Sequence, residues 1–386
     1  MLCLALTGCG TTSSGAADPP PSSPTTASTQ PSPSHSTTTQ THDTPAATTI
    51  AGDPKARLGA FSAIPGHPER RAATWYVCRD TRCYHRTSAA VVTTDGFRHR
   101  TVVDLPVSRD YFGYAFQPAG PDHFVVTVNA GHPRLVDLHG HVQVIAVSGP
   151  TGLLAPGEVA IGGKVFRHWL ALDPDTGAAH PLSTPRDTVE VETGPSGQLR
   201  VLTSDFSYFW SDDRGRTWHR MPLPPGDRHL MVGMIPTVDD SVHALQLGGD
   251  GATLFPWDTV LKSTDGRTWT PYDGPDDPDD PKGYGNPVAV LPDGRLVLNI
   301  DGWSDWRKNH PPAHPLGLYA GADWAHLKPV PFTGPFAQQE PHAFGLSILD
   351  VAVTPASVTI YAQTPDEEGV VSSTDGGISW HDELAR

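Results

Sequence analysis

One short pattern, returning at wide intervals, constrains this chain more than any other feature. Ser211-Asp212-Asp213-Arg214-Gly215-Arg216-Thr217-Trp218 reads S-x-D-x-G-x-T-W, and Ser373-Thr374-Asp375-Gly376-Gly377-Ile378-Ser379-Trp380 repeats it with Ser for Thr. Ser263-Thr264-Asp265-Gly266-Arg267-Thr268-Trp269 is one residue shorter, and Thr93-Thr94-Asp95-Gly96-Phe97 is a degenerate copy. The chemistry of the pattern is local. The Asp side chain accepts backbone N–H groups of its own turn. Gly supplies the positive φ that a tight hairpin needs. The Trp opens the next strand and buries a large ring. Ser211, Asp213, Gly215, Trp218, Ser263, Asp265, Trp269, Ser373, Asp375, Gly377 and Trp380 therefore read as hairpin staples, with no catalytic or metal role. Hairpins on a repeating beat imply an array of similar β units packed on one another.

The rest of the chain keeps that beat. Among 386 residues there are 38 Gly and 40 Pro, and only 18% are charged, a profile that suits many short strands and turns and disfavours a helical bundle. Third strands of successive units align near residues 90, 134, 169, 209, 260, 317 and 370. The expected fold is all-β: a β-propeller of four-stranded antiparallel blades over residues 55–386, with seven blades, or six with longer insertions as the alternative. Its first strand falls near Leu58–Ile64. Closure is expected by packing the first blade on the last, without an exchanged strand. No helix longer than a turn or two is expected.

The repeats resemble the Asp-box, or BNR, repeat of sialidase-like β-propellers. The resemblance covers the propeller as architecture and speaks to fold more than to activity. In sialidases it implies three arginines on the substrate carboxylate, the first in an Arg-Ile-Pro motif, with a Tyr–Glu nucleophile pair and an Asp acid/base. This chain carries Ser62-Ala63-Ile64-Pro65 on its first strand, so Ala63 stands where that Arg would be, and no Arg-Ile-Pro occurs elsewhere. Glu is scarce, with eight in the whole chain. Residues 55–386 hold 27 Lys+Arg against 39 Asp+Glu, a balance that steers anionic sugars away. The reading is a non-catalytic propeller that binds a glycan, wall polymer or extracellular protein. The alternative is a sialidase-like glycoside hydrolase of the exo-α-sialidase type. No cofactor and no metal are expected. A formal charge of −15 without a basic stripe argues against nucleic acid.

The N-terminus suggests a location. Leu6-Thr7-Gly8-Cys9 resembles the lipobox of bacterial lipoproteins, which implies cleavage before Cys9 and a diacylglyceryl group on its thiol. Residues 1–8 are then a partial signal segment, with no Lys or Arg before the apolar run, and the true start is expected upstream. Residues 9–54 read as lipidated Cys9 and a tether: positions 11–50 contain 27 Ser, Thr or Pro and no Lys or Arg, which leaves almost nothing to bury. The implied address is the outer face of the cell membrane, through a lipid anchor. In that oxidising setting, Cys78 and Cys83, spaced C-x4-C, read as a local disulfide.

Register also places a binding face. Asp-box turns join third and fourth strands, so second-to-third loops and blade connections lie on the opposite face, where ligands of this architecture usually sit. The long insertion with Trp303, Asp305, Trp306 and Arg307 falls there, with Trp257 and Asp258, Asp205 and Tyr208, and the acidic Asp366-Glu367-Glu368. Tryptophans beside carboxylates suit a carbohydrate or peptide cleft. The assigned ligand-binding residues are Trp303, Asp305, Trp306, Arg307, Trp257, Asp205 and Tyr208.

Overall fold

A computed structural model of the chain describes residues 47–383, apart from 82, 84, 109–113, 129–132, 163–167, 195–196, 206, 222–230, 236–242, 249–256, 264–267, 273–285, 301–316, 323–325, 332, 337–345, 355 and 365–369. Six sheets among these residues share one plan, four consecutive strands hydrogen-bonded in chain order, each antiparallel to the last. Sheet 1 holds β1 (Arg57–Ile64), β2 (His67–Cys78), β3 (Arg86–Thr93) and β4 (Thr101–Val102). Sheet 2 holds β5 (Tyr114–Pro118), β6 (His123–Val128), β7 (Arg134–Asp137) and β8 (Val142–Val144). Sheet 4 holds β13 (Thr188–Thr193), β14 (Leu199–Thr203), β15 (Tyr208–Ser211) and β16 (His219–Met221). Sheet 5 holds β17 (Met231–Met234), β18 (His243–Gly248), β19 (Trp257–Ser263) and β20 (Thr270–Tyr272). Sheet 6 holds β21 (Asn286–Val290), β22 (Leu296–Ile300), β23 (Gly317–Gly321) and β24 (Lys328–Pro329). Sheet 7 holds β25 (Ile348–Val353), β26 (Val358–Gln363), β27 (Val370–Ser373) and β28 (His381–Asp382).

Sheet 3 departs from the plan. It is ordered β10 (Val159–Ile161), β11 (Leu170–Leu172), β12 (Ala178–Pro181), with β9 (Ala146–Val147) at its outer edge and parallel to β12. The chain leaves β8 at the rim of sheet 2, turns Ile145 into the core, and continues as the rim strand of sheet 3. This corrects the expectation of seven antiparallel blades and supports the alternative of six: six sheets have that form, and the remaining sheet is composite. Six of the expected third strands are third strands, while position 169 abuts β11, the second strand of its sheet. A two-residue strand without an S-x-D turn gave the sequence no mark to read there.

The sheets form a propeller because each buries both faces. Successive strand residues point to opposite faces, and the core divides accordingly. Ala90 and Val92 pack towards sheet 2, while Val91, between them, packs towards sheet 7. Leu296 and Leu298 pack with Ile235, and Val297 packs with Val358 and Ile360. β1 lies beside β5 and β25, so first strands form the inner wall. Sheet 7 meets sheet 1 through Tyr361, Phe61 and Trp75. Among the described residues, β1 to β4 and β25 to β28 each pair only within their own sheet. Arg71 of β2 closes it, paired with the Glu383 carboxylate and donating to the Glu383 carbonyl at 2.8 Å. The cysteines at positions 78 and 83 are bonded to each other, closing the loop after β2.

The propeller begins earlier than expected. Residues 47–54, assigned to the tether, include α1 (Ala47–Gly52), whose Ile50 and Ala51 are buried. Ala51 joins Phe61, Trp75 and Phe97 in the seam between sheets 7 and 1. One apolar turn at the end of a Ser/Thr/Pro stretch is enough to dock.

The S-x-D turns share one hydrogen-bond pattern. Asp213 accepts from Ser211 Oγ at 2.8 Å and from the Thr217 N–H at 2.7 Å, while the Gly215 N–H donates to Ser211 Oγ at 2.8 Å. Ser373, Asp375, Gly377 and Ser379 reproduce it. So do Thr93, Asp95 and His99, with Phe97 in the glycine position at φ 68°. Left-handed backbone is unfavourable for Phe, but its ring fills the seam between sheets 7 and 1. Trp218, Trp269 and Trp380 likewise lie against the seam preceding their own sheet. Asp265 lies outside the described residues.

These turns predict an acid response. The His99 backbone N–H, then its ring, lower the Asp95 carboxyl to about 2, and the Thr217 backbone N–H, then its hydroxyl, lower Asp213 to about 2. Because the folded values lie below the ordinary 3.8, their stabilisation is present above that pH and lost as pH falls through about 2. The melting temperature should therefore drop more steeply below pH 4 in the wild type than in Asp95→Asn/Asp213→Asn. Parallel curves for the two proteins would refute this.

Candidate functional site

Strand order decides which turns share a face. In an up-and-down sheet, first-to-second and third-to-fourth turns emerge together. The S-x-D turns therefore share a face with the turns that follow β1, β5, β13 and β25. On that face, at the mouth of the central channel, lies a cleft of about 620 Å³. Its walls come from sheets 1, 2, 3, 4 and 7. The expectation placed the site on the other face, where the long insertions lie outside the described residues. Long loops drew attention there, whereas this mouth is framed by short turns such as Pro65-Gly66, with Gly66 at φ 80°.

Charged groups reach the mouth from opposite parts of the ring. Asp350 follows a register shift in β25. Its Oδ2 accepts the Ala63 N–H at 2.9 Å and Ser62 Oγ at 3.2 Å, and its Oδ1 accepts the Val351 N–H at 2.9 Å. Burial pushes its pKa up, and those three donors oppose the rise. Across the channel, Glu192 of β13 meets Arg200 of β14 at 3.5 Å, with the Arg200 side chain 3% exposed. A second register shift in β13 precedes Glu190, and Val189 and Glu190 are both exposed within the ring. Surrounding protein desolvates the Glu190 carboxyl and Glu192 repels its charge, so its pKa rises to about 7. Gln117 Nε2 donates to the Ala160 carbonyl at 3.1 Å, tying sheets 2 and 3 together at the rim. Aliphatic side chains, Ile64, Val159, Val191 and Val351 among them, line the rest. No Phe, Tyr or Trp is among the described lining residues.

The residues expected to bind do not gather here. Tyr208 is a correction: its ring is 1% exposed, stacked edge-on to Trp269 with centroids 6.3 Å apart. It lies at a strand start, where the outward-facing expectation failed because alternate residues all point into seams. Asp205 is exposed in the turn after β14, on the face away from the cleft. The Thr203 hydroxyl, which donates to its carboxylate, is the main cause of its lowered pKa. Trp257 begins β19. The side chains of Trp257 and Asp258, and all of Trp303, Asp305, Trp306, Arg307 and Asp366-Glu367-Glu368, lie outside the described residues. Conversely, Glu190, Glu192, Arg200 and Asp350 were not assigned to binding. For Glu190, Glu192 and Asp350 the signal, a charge on an inner strand, appears once the inner strands are known, and Arg200 comes from the second strand β14. Ala63, noted at the expected Arg position, does line the cleft, and contributes its backbone N–H to Asp350.

No group of three or more His, Cys, Asp or Glu side chains suited to a metal ion occurs among the described residues. What the arrangement offers is an aliphatic collar with carboxylates set into it.

No protein-family model matches this chain, and no curated protein matches it. Solved β-propellers do. A structure described as YCF48 bound to D1 peptide is 14% identical, with a TM-score of 0.35 over 85% of this chain and 81% of that one. The GH74 xyloglucanase from Xanthomonas campestris is 16% identical, with a TM-score of 0.36 over 86% of this chain and 55% of the other. A puromycin-hydrolysing peptidase from Mycobacterium tuberculosis is 13% identical, with a TM-score of 0.46 over 86% of this chain and 54% of that protein. Likenesses this distant carry no argument about what this chain binds or does.

Proposed function

We propose that this chain is a surface-anchored, non-catalytic propeller of the Asp-box kind that binds an extracellular glycan, wall polymer or protein through the mouth of its channel. The observation that carries the reading is the commitment of the cleft's acids. Asp350 holds the main chain of the neighbouring sheet, and Glu192 holds a buried Arg200. Groups so engaged position a rim and are poorly placed to exchange protons with a substrate. The anchor rests on Leu6-Thr7-Gly8-Cys9 and the Ser/Thr/Pro stretch after it. A fatty-acid analogue that labels wild type and Cys9→Ser equally would remove it.

One observation favours the alternative, a sialidase-like glycoside hydrolase. Glu190 has its carboxyl raised to about 7 by burial and then by the charge of Glu192, the direction that a general acid of a glycosidase needs. A screen of glycan and peptide arrays, paired with hydrolysis of fluorogenic glycosides, separates the two. The binding reading expects array hits and no turnover. Turnover that is bell-shaped in pH and abolished by Glu190→Gln would replace it with the hydrolase.

A further inference from the structure

The seam that closes the ring joins the two ends of the propeller, and α1 lies on it. Sheets 1 and 7 are the first and last in the chain, so every bond between them closes a long loop. Ala63 and Asp350 are 287 positions apart, Leu58 and Gln363 305, and Arg71 and Glu383 312. Sheets that follow one another in the chain are kept close by their linker even when their contacts open, whereas this pair is kept close by its contacts alone. We propose that α1 is a strap on this seam. Docked, it holds the first sheet in shape against the last. Released, it lets the seam loosen, and the channel mouth loses the wall that Ala63 and Asp350 form. The N-terminal stretch joins the propeller through this strap, which acts in the same way whatever the mouth binds.

Three observations converge. First, α1 depends on docking for its existence. It has six residues, far fewer than a helix that is stable alone in water, and no acidic residue in its first turn or basic residue in its last. What holds it is the burial of Ile50 and Ala51, 1% and 5% exposed, and Arg100, whose Nη1 donates to the Ala51 carbonyl at 3.2 Å. An element of this kind has two states, docked and released. Second, the contacts beside it lead to sheet 7. The Arg100 guanidinium also lies 3.9 Å from the centre of the Trp75 ring, and Trp75 meets Phe97 edge-on at 6.3 Å. Phe97 meets Phe61 at 6.3 Å, and Phe61 meets Tyr361 of sheet 7 at 5.2 Å. Ala51 belongs to the same buried cluster as these four rings. Third, the middle of that ladder is strained. Phe97 has φ 68°, a conformation that persists only while the surroundings hold its ring. Its turn also touches the ion pair of the seam: the Gly96 N–H donates to the Glu69 carbonyl at 2.9 Å, and a methyl group at Gly96 would stand 3.6 Å from the Arg71 guanidinium. With α1 released, Phe97 loses a neighbour and its turn is free to relax beside Arg71. Phe61 then shifts on β1, two residues before the Ala63 N–H that Asp350 accepts.

The test uses the full chain and needs no ligand. Amide hydrogen exchange is followed residue by residue in wild type, Ala51→Asp, Ile50→Ala and Tyr208→Ala. Ala51→Asp sets a charge in the buried cluster and releases the helix, while Ile50→Ala only trims its apolar contact. Tyr208→Ala weakens the seam between sheets 4 and 5 and serves as the control. In Ala51→Asp, exchange should quicken at least tenfold at Phe97, whose N–H is held by Thr93, and at Ala63, whose N–H reports the bond to Asp350. The amides of β14 should keep their wild-type protection. Ile50→Ala should give the same pattern at smaller amplitude, so a failure of Ala51→Asp to fold leaves the proposal falsifiable. Tyr208→Ala should leave the Ala63 amide unchanged. If exchange quickens within α1 alone, the helix is a pendant and the strap is overturned. If all sheets quicken together, or if Tyr208→Ala reproduces the pattern, α1 adds only to global stability and the proposal falls as well.

Discussion

Replacing Arg71 by methionine is expected to destabilise the propeller by about 3–5 kcal/mol, the usual result of removing one partner from a buried ion pair. Arg71 sits at the seam where the last sheet meets the first, with its side chain 3% exposed and that of Glu383 19% exposed. Its Nε donates to the Pro68 carbonyl, its Nη1 to the Glu383 carbonyl and its Nη2 to the Glu383 carboxylate. Ser372 Oγ donates to the same carboxylate. Without the guanidinium, Glu383 keeps its charge in a half-closed seam with one hydroxyl for company. The double variant Arg71→Met/Glu383→Leu should regain much of the loss, because no charge is left stranded. Chemical denaturation of the three proteins decides. A single variant within about 1 kcal/mol of wild type would mean that apolar packing alone closes the ring.

Tyr208→Ala is expected to cost about 3–5 kcal/mol, in line with other large-to-small aromatic changes in cores. The ring is enclosed by Leu202, Trp210, Met234 and Trp269, in the seam between sheets 4 and 5. Truncation leaves a void that rigid strands on both sides cannot fill. Tyr208→Phe keeps the ring and should cost far less. Neither change should alter binding at the channel mouth when measured well below the melting transition. Loss of binding in a Tyr208→Phe protein of normal stability would restore Tyr208 to the ligand-contacting residues.

How much of this was legible in the sequence depends on the range of each interaction. The S-x-D turns are made of residues within seven positions of one another, so Ser211, Asp213, Gly215 and Trp218 declared both their hairpin and its hydrogen bonds. The disulfide was legible for the same reason. The composite sheet was not. It depends on Ala146 pairing with Ala178, a parallel contact that no local pattern announces. The site was least legible of all. Asp350 meets Ala63 across nearly the whole chain, and Glu192 faces the channel only because β13 is an inner strand. Exposed tryptophans are conspicuous in a sequence, whereas a carboxylate on a channel wall looks like any other surface acid.

The strand that passes from the rim of sheet 2 to the rim of sheet 3 bears on how this ring can be cut. In the other described sheets the strands pair in chain order and the outermost strand is the last to be made. Between these two, the backbone of Ala146 and Ser148 donates to the Gly177 and Ala179 carbonyls, so one sheet borrows its edge from the exit of the other. New termini placed between sheets 1 and 2 would leave every set of four intact, and a circular permutant opened there should assemble. Termini placed after Val144 would also keep both sets of four, β5 to β8 and β9 to β12, but would make the two-residue β9 a chain end, held on β12 without the strand that leads into it. A permutant opened there therefore tests whether the edge of sheet 3 is held by its pairing alone or also by its continuity with sheet 2.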